Sequence, residues 1–102
     1  MEVCNTDAEG RLILADAMAY VQKYELESLV DVCTLTGAIC VGLGEYTAGL
    51  FGNSGELAAQ LMRAGAEVKE PCWPMPILKE HVGEIKASTV ADLRSMGAGR
   101  YG

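Results

Sequence analysis

An α/β fold, part of a mixed β-sheet sandwiched between helices, is predicted by three observations on this 102-residue sequence. Strand-like and helix-like stretches alternate along the chain, the pattern of a layered sheet with helices on its faces. Residues 29–35 form a short apolar run rich in β-branched side chains that ends at Thr36-Gly37, as an interior strand opening into a loop does. Leu14, Ala17, Val21 and Tyr24 recur at helical spacing, with Leu12, Ala15 and Ala19 on an adjacent stripe.

In chain order, residues 2–5 read as the close of a strand. Residues 12–24 are nearly all helix formers, apolar over so much of their circumference that a largely buried helix is expected. The run 29–35 follows as an interior strand, then a short helix over 37–44 and a second interior strand over 46–51, stopped by Gly52-Asn53. Asn53 three residues before Glu56 resembles a capping box, and Leu57, Leu61, Ala64 and Val68 give the helix behind it one stripe. Residues 71–76, with three prolines, cannot be regular helix, because each proline pushes its predecessor toward extended geometry. Residues 77–86 form a weaker helix, 88–93 a short strand or turn, and 96–102 a glycine-rich loop. A chain that opens on a finishing strand and stops inside a loop reads as part of a longer domain, truncated at both ends.

Half the residues are hydrophobic, which excludes a disordered chain and permits a modest core. The formal charge is −6, concentrated in residues 1–51, where eight acids face Arg11 and Lys23. No basic face is large enough for phosphate-driven nucleic-acid binding. Residues 32–55 carry a single charge, Glu45, but glycines and threonines interrupt them, so they read as core rather than a membrane span. Cys4, Cys33, Cys40 and Cys72 contain no Cys-x-x-Cys pair and are accompanied by one histidine, His81, which argues against a zinc finger or ribbon. Their apolar neighbours suggest small buried hydrophobes in a reducing compartment. Trp73, amid prolines, is expected to pack over the core. His81 and Arg100 read as surface side chains.

The chemistry concentrates at residues 5–12. Asp7, Glu9 and Arg11 stand at i, i+2 and i+4 where a strand yields to a helix, and in extended chain all three would point one way. Two acids on one side could share a divalent metal or a metal pair, with Arg11 holding an anion beside them. The competing reading is structural: Thr6-x-x-Glu9 is a capping-box pattern, and acids suit the first turn of a helix. Gly10 adds something a cap does not need. A glycine there costs about 1 kcal/mol relative to alanine, which suggests close backbone approach or an unusual torsion.

Residues 5–16, NTDAEGRLILAD, resemble the signature of the leucyl aminopeptidase (cytosol aminopeptidase) family, and match its NTDAEGRL core at every position. Thr34-Leu35-Thr36-Gly37-Ala38 is similar to the family's TLTGA strand end, and Trp73-Pro74-Met75-Pro76 to its tryptophan-proline segment. Ala91-Asp92-Leu93 and Gly99-Arg100-Tyr101-Gly102 resemble the approach to its glycine-rich loop. The likeness spans the chain and implies residues 1–102 of an incomplete aminopeptidase catalytic domain. It further implies a dinuclear exopeptidase that releases N-terminal amino acids, often leucine, from peptides by attack of metal-activated water.

Carried over by the motif, Asp7 and Glu9 are metal ligands, and Arg11 positions a bicarbonate that relays a proton. Leu35 and Gly37 align the substrate backbone, while Asn5 and Thr34 line its side-chain pocket. The resemblance implies two divalent ions, Mn2+ or Zn2+ with Mg2+ as a further candidate, a cytoplasmic location and a hexameric parent. The family's remaining ligands, a lysine and two aspartates, and its catalytic lysine precede the motif, and Lys23, Lys69, Lys79 and Lys86 all follow it. The 102 residues alone are therefore expected to be inert. Two alternatives from other classes stand beside this one: a short noncatalytic module pairing with full-length subunits, and a small α/β binding domain whose acids cap a helix.

Overall fold

The structure is a computed structural model and describes residues 1–93. In chain order its elements are a 3-10 turn at Thr6–Ala8, helix α1 (Glu9–Val21) with a 3-10 extension at Gln22–Tyr24, and helix α2 (Ala38–Leu43). Strand β1 (Ala48–Leu50), helix α3 (Gly55–Glu67), strand β2 (Cys72–Pro74) and helix α4 (Lys79–Ile85) follow. This is the predicted α/β class, with helices and a two-stranded parallel sheet. The chain divides into two compact units. One holds Met1–Leu35 and the chain from Lys79 onward; the other is Thr36–Leu78.

In the first unit, α1 starts earlier than the apolar stripe suggested, because the turn at Thr6–Ala8 feeds straight into it. It stops where Glu25 adopts a left-handed φ of 52° and donates its N–H to the Gln22 carbonyl. Residues 2–5 do not form a strand. Glu2 makes a single bridge, its N–H donating to the Leu93 carbonyl at 2.6 Å. Residues 29–35 have no regular structure, and Val32 is 97% exposed. The expected interior strand is absent there, for the physical reason that a strand exists only through a neighbour's hydrogen bonds. Residues 88–93 take the turn form, with the Ser88 hydroxyl accepting from the Val90 and Ala91 amides.

In the second unit, β1 and β2 pair in register Ala48↔Cys72, Gly49↔Trp73 and Leu50↔Pro74, with α3 as the crossover between them. Ser54 rather than Asn53 caps α3, its hydroxyl accepting from the Leu57 N–H at 3.3 Å. The half-buried stripe on α3 is correspondingly rotated. It runs through Leu57, Ala58, Leu61, Met62 and Gly65, and leaves Ala64 and Val68 exposed.

The two helices of this unit flank the strand layer on opposite faces. A methyl group on Gly49 would lie 2.7 Å from Ile39 Cδ1 of α2, whereas one on Gly65 of α3 would face the Glu70 carbonyl at 2.5 Å and Cys72 Sγ at 3.8 Å. Gly49 and Cys72 sit at alternate register positions, so their faces differ. Both glycines mark close approaches that a β-carbon would prevent.

Burial is where expectation and structure part. No hydrophobic residue among those described is buried, so neither α1 nor residues 32–55 form a core. Trp73 is 59% exposed rather than packed, and Cys4, Cys33 and Cys40 are exposed. Hydrophobic periodicity specifies which face an element would bury; burial also requires something to cover it.

Candidate active site

The NTDAEGRL run occupies the entry to α1. Asn5 has extended backbone (φ −151°, ψ 125°), and its side-chain Oδ1 accepts the Asp7 N–H at 2.8 Å. Its carbonyl accepts the Ala8 N–H at 3.2 Å. Asn5, not Thr6, is thus the cap of this helical start, and it fixes the backbone that carries Asp7. The Asn5 amide oxygen serves the chain's own turn.

Because Thr6–Ala8 and Glu9 are helical, the three charged residues do not stand as they would in extended chain. At roughly 100–120° per residue, Asp7 and Arg11 share one side of the turn and Glu9 leaves it on another. Asp7 and Glu9 are exposed, and Arg11 is half-buried. Acidic groups in the first turn also meet the positive end of the helix dipole.

Gly10 fulfils the expectation of close approach. A β-carbon on it would lie 3.1 Å from Leu35 Cδ2, so the Leu35 side chain sits over the backbone between Glu9 and Arg11. The structure therefore brings Leu35 to the motif from a segment 25 positions along the chain. Thr34 precedes it as an exposed residue without regular structure. Gly37 opens α2 in the other unit, its carbonyl accepting the Cys40 N–H at 3.1 Å, while the Thr36 hydroxyl accepts from Ala38 N–H at 3.1 Å. Gly99, Arg100, Tyr101 and Gly102 lie outside the described residues.

One side-chain pair and one three-residue cluster were not anticipated. Cys33 Sγ donates to Asp31 Oδ1 at 3.1 Å, and that carboxylate, both as hydrogen-bond partner and as charge, pushes the thiol above its ordinary value. At the end of α1, Lys23 Nζ lies 3.8 Å from the Tyr20 ring centroid and 5.1 Å from that of Tyr24. Lys23, and after it Tyr24, hold the Tyr20 phenol below its usual range. The i, i+3, i+4 spacing of Tyr20, Lys23 and Tyr24 was the signal that could have revealed this cluster.

The carboxylates of Asp7 and Glu9 are the right kind of donor for hard divalent cations. They do not by themselves fit a metal pair. Among the described residues no group of three or more histidine, cysteine or acidic side chains could hold a metal ion, and the helical backbone turns these two to different sides.

The catalytic-domain profile of the cytosol aminopeptidase family matches residues 1–102. The chain belongs to the cytosol aminopeptidase family. It is 54% identical over 98 residues to a probable cytosol aminopeptidase of Chloroherpeton thalassium, covering 95% of this chain and 19% of that protein. Probable cytosol aminopeptidases of Actinobacillus succinogenes and Pseudomonas fluorescens are 47% and 41% identical over all 102 residues, which cover 21% and 20% of their lengths. The chain thus spans about a fifth of the relatives it matches. Among the described residues no helix is long and apolar enough to cross a membrane.

Proposed function

We propose that this chain is the motif-bearing part of a cytoplasmic leucyl aminopeptidase, a hydrolase that releases N-terminal amino acids from peptides. The observation that carries the reading is the unbroken NTDAEGRL run at the capped entry to α1, within a chain matched end to end by the family's catalytic domain. In the longer enzyme Asp7 and Glu9 donate carboxylates to a pair of divalent ions, manganese or zinc, with magnesium as a further candidate. Arg11 holds an anion, bicarbonate, beside them. Leu35 and Gly37 contribute backbone groups to the peptide substrate, with Asn5 and Thr34 beside its side chain. The whole enzyme is a hexamer.

The two carboxylates do not enclose a metal pair, so no catalytic step is assigned to these 102 residues alone, and the isolated chain is inert. Purified and supplied with manganese, it should not hydrolyse leucine p-nitroanilide; turnover would overturn that claim. The ligand roles are tested in a chimera of the Chloroherpeton thalassium relative carrying this chain in place of its aligned stretch. Asp7→Ala and Glu9→Ala should each cost more than the roughly 10–100-fold that outer-shell partners of a metal cost. Unchanged hydrolysis in either variant would remove that residue from the site.

A further inference from the structure

Asparagine occurs twice in the chain, at Asn5 and Asn53, and the two side chains stand in opposite circumstances. Asn5 Oδ1 accepts the Asp7 N–H at 2.8 Å, so its amide is held in a cap. Thr6, branched at Cβ, follows it and crowds the backbone nitrogen beside that amide. Asn53 lies in the bend between β1 and α3, one position outside the cap. Because Ser54 caps α3 through its own hydroxyl, Asn53 is left without that task. Among the described residues neither its side-chain amide nor the Ser54 N–H has a hydrogen-bond partner. Asn53 and Ser54 are both exposed, and a β-carbon on either flanking glycine, Gly52 or Gly55, would meet nothing within 4 Å. An unengaged amide thus stands next to an unengaged backbone nitrogen, with open space around both.

We propose that Asn53 is a deamidation site, at which the chain converts its own side chain to a carboxylate without an enzyme. The Ser54 nitrogen gives its proton to hydroxide and attacks Asn53 Cγ. An N–Cγ bond forms, the Cγ–Nδ2 bond breaks and ammonia leaves, closing a cyclic imide. Water then opens the ring at one carbonyl or the other, to aspartate or to isoaspartate. The sum is a water consumed and an ammonia released, with no oxidant, reductant or cofactor; asparagine is thermolabile in this way. The new carboxylate joins Glu56 at the positive end of α3. In the isoaspartate product the main chain also runs through the former side chain, which lengthens by a methylene the joint where the crossover leaves β1. Asn5 is spared, because its Oδ1 bond must open first, a factor of about five for a cap of this kind.

The inference is independent of the catalytic reading. It is tested on the 102-residue chain itself, held near pH 8 and followed by peptide mass spectrometry with isoaspartyl-methyltransferase labelling. A Thr6→Ser variant places both asparagines before serine, so that their surroundings decide the comparison. In it Asn53 should deamidate at least about fivefold faster than Asn5 in buffer, and the ratio should fall toward unity in concentrated guanidinium chloride, where the cap is gone. Equal rates in buffer, a ratio that guanidinium leaves unchanged, or an Asn53 peptide that stays amidated while Asn5 converts would each overturn the proposal. Ser54→Pro removes the attacking N–H and should halt conversion at Asn53. Conversion that persists in that variant would equally overturn it.

Discussion

Titrating this chain with urea is the most direct test of its missing core. A folded monomer of 10.8 kDa exposes about 5,500 Å² and its unfolded chain about 15,700 Å². The chain here exposes 8228 Å². It therefore leaves about 2,700 Å² uncovered that an autonomous domain of its mass would bury, roughly a quarter of the expected burial. Were only a third of that area apolar, the forgone stabilisation at ~25 cal/mol per Å² would be about 20 kcal/mol, above the 5–15 kcal/mol net stability of ordinary domains. The 102-residue chain should show no cooperative unfolding. Circular dichroism should decline gradually with urea, and the emission of Trp73, the sole tryptophan, should already be close to that of a solvated indole in buffer. A sigmoidal transition with one midpoint by both probes would refute this reasoning, because it would demonstrate a core that the exposed side chains deny.

Two further outcomes follow from particular contacts and are best read in the chimera. Gly65→Ala should lower stability by about 1–3 kcal/mol despite alanine's better helix propensity, as the new methyl would meet the Glu70 carbonyl, held by its own N–H donating to the Gly65 oxygen at 2.8 Å; an unchanged melting temperature would contradict it. Asp31→Asn should bring the Cys33 thiol down toward its ordinary value and so speed its alkylation by iodoacetamide near pH 8, followed on the Cys33 peptide by mass spectrometry; a slower reaction would contradict the direction of the shift.

Much of the fold was legible where local chemistry decides it. Helix α1 announces itself by helix formers and α3 by its apolar stripe, while α2, α4 and β1 fall within residues 37–44, 77–86 and 46–51 as read. The prolines of residues 71–76 excluded helix, and extended backbone at Cys72–Pro74 is the form they allow. Residues 29–35 were illegible for the opposite reason. β-branched side chains state a preference for pleated surroundings, but the backbone satisfies it only when a neighbour supplies donors and acceptors. Burial of α1 failed in the same way, since its apolar stripes need an opposing layer. At the motif, Gly10 signalled its close neighbour correctly, and Leu35 was named from the family likeness, yet nothing in either spacing said that the two would meet. The cap was misplaced by one residue at both α3 and the entry to α1, because Asn5 and Ser54 stand beside equally competent oxygens.

The prolines along β2 also limit how the molecule can go wrong. Open-ended stacking into fibres needs two complementary rims on every copy, one to receive and one to be received. With Pro74 unable to donate from the outer rim of β2, copies that associate through this sheet would meet by their β1 rims and stop there as closed twofold pairs.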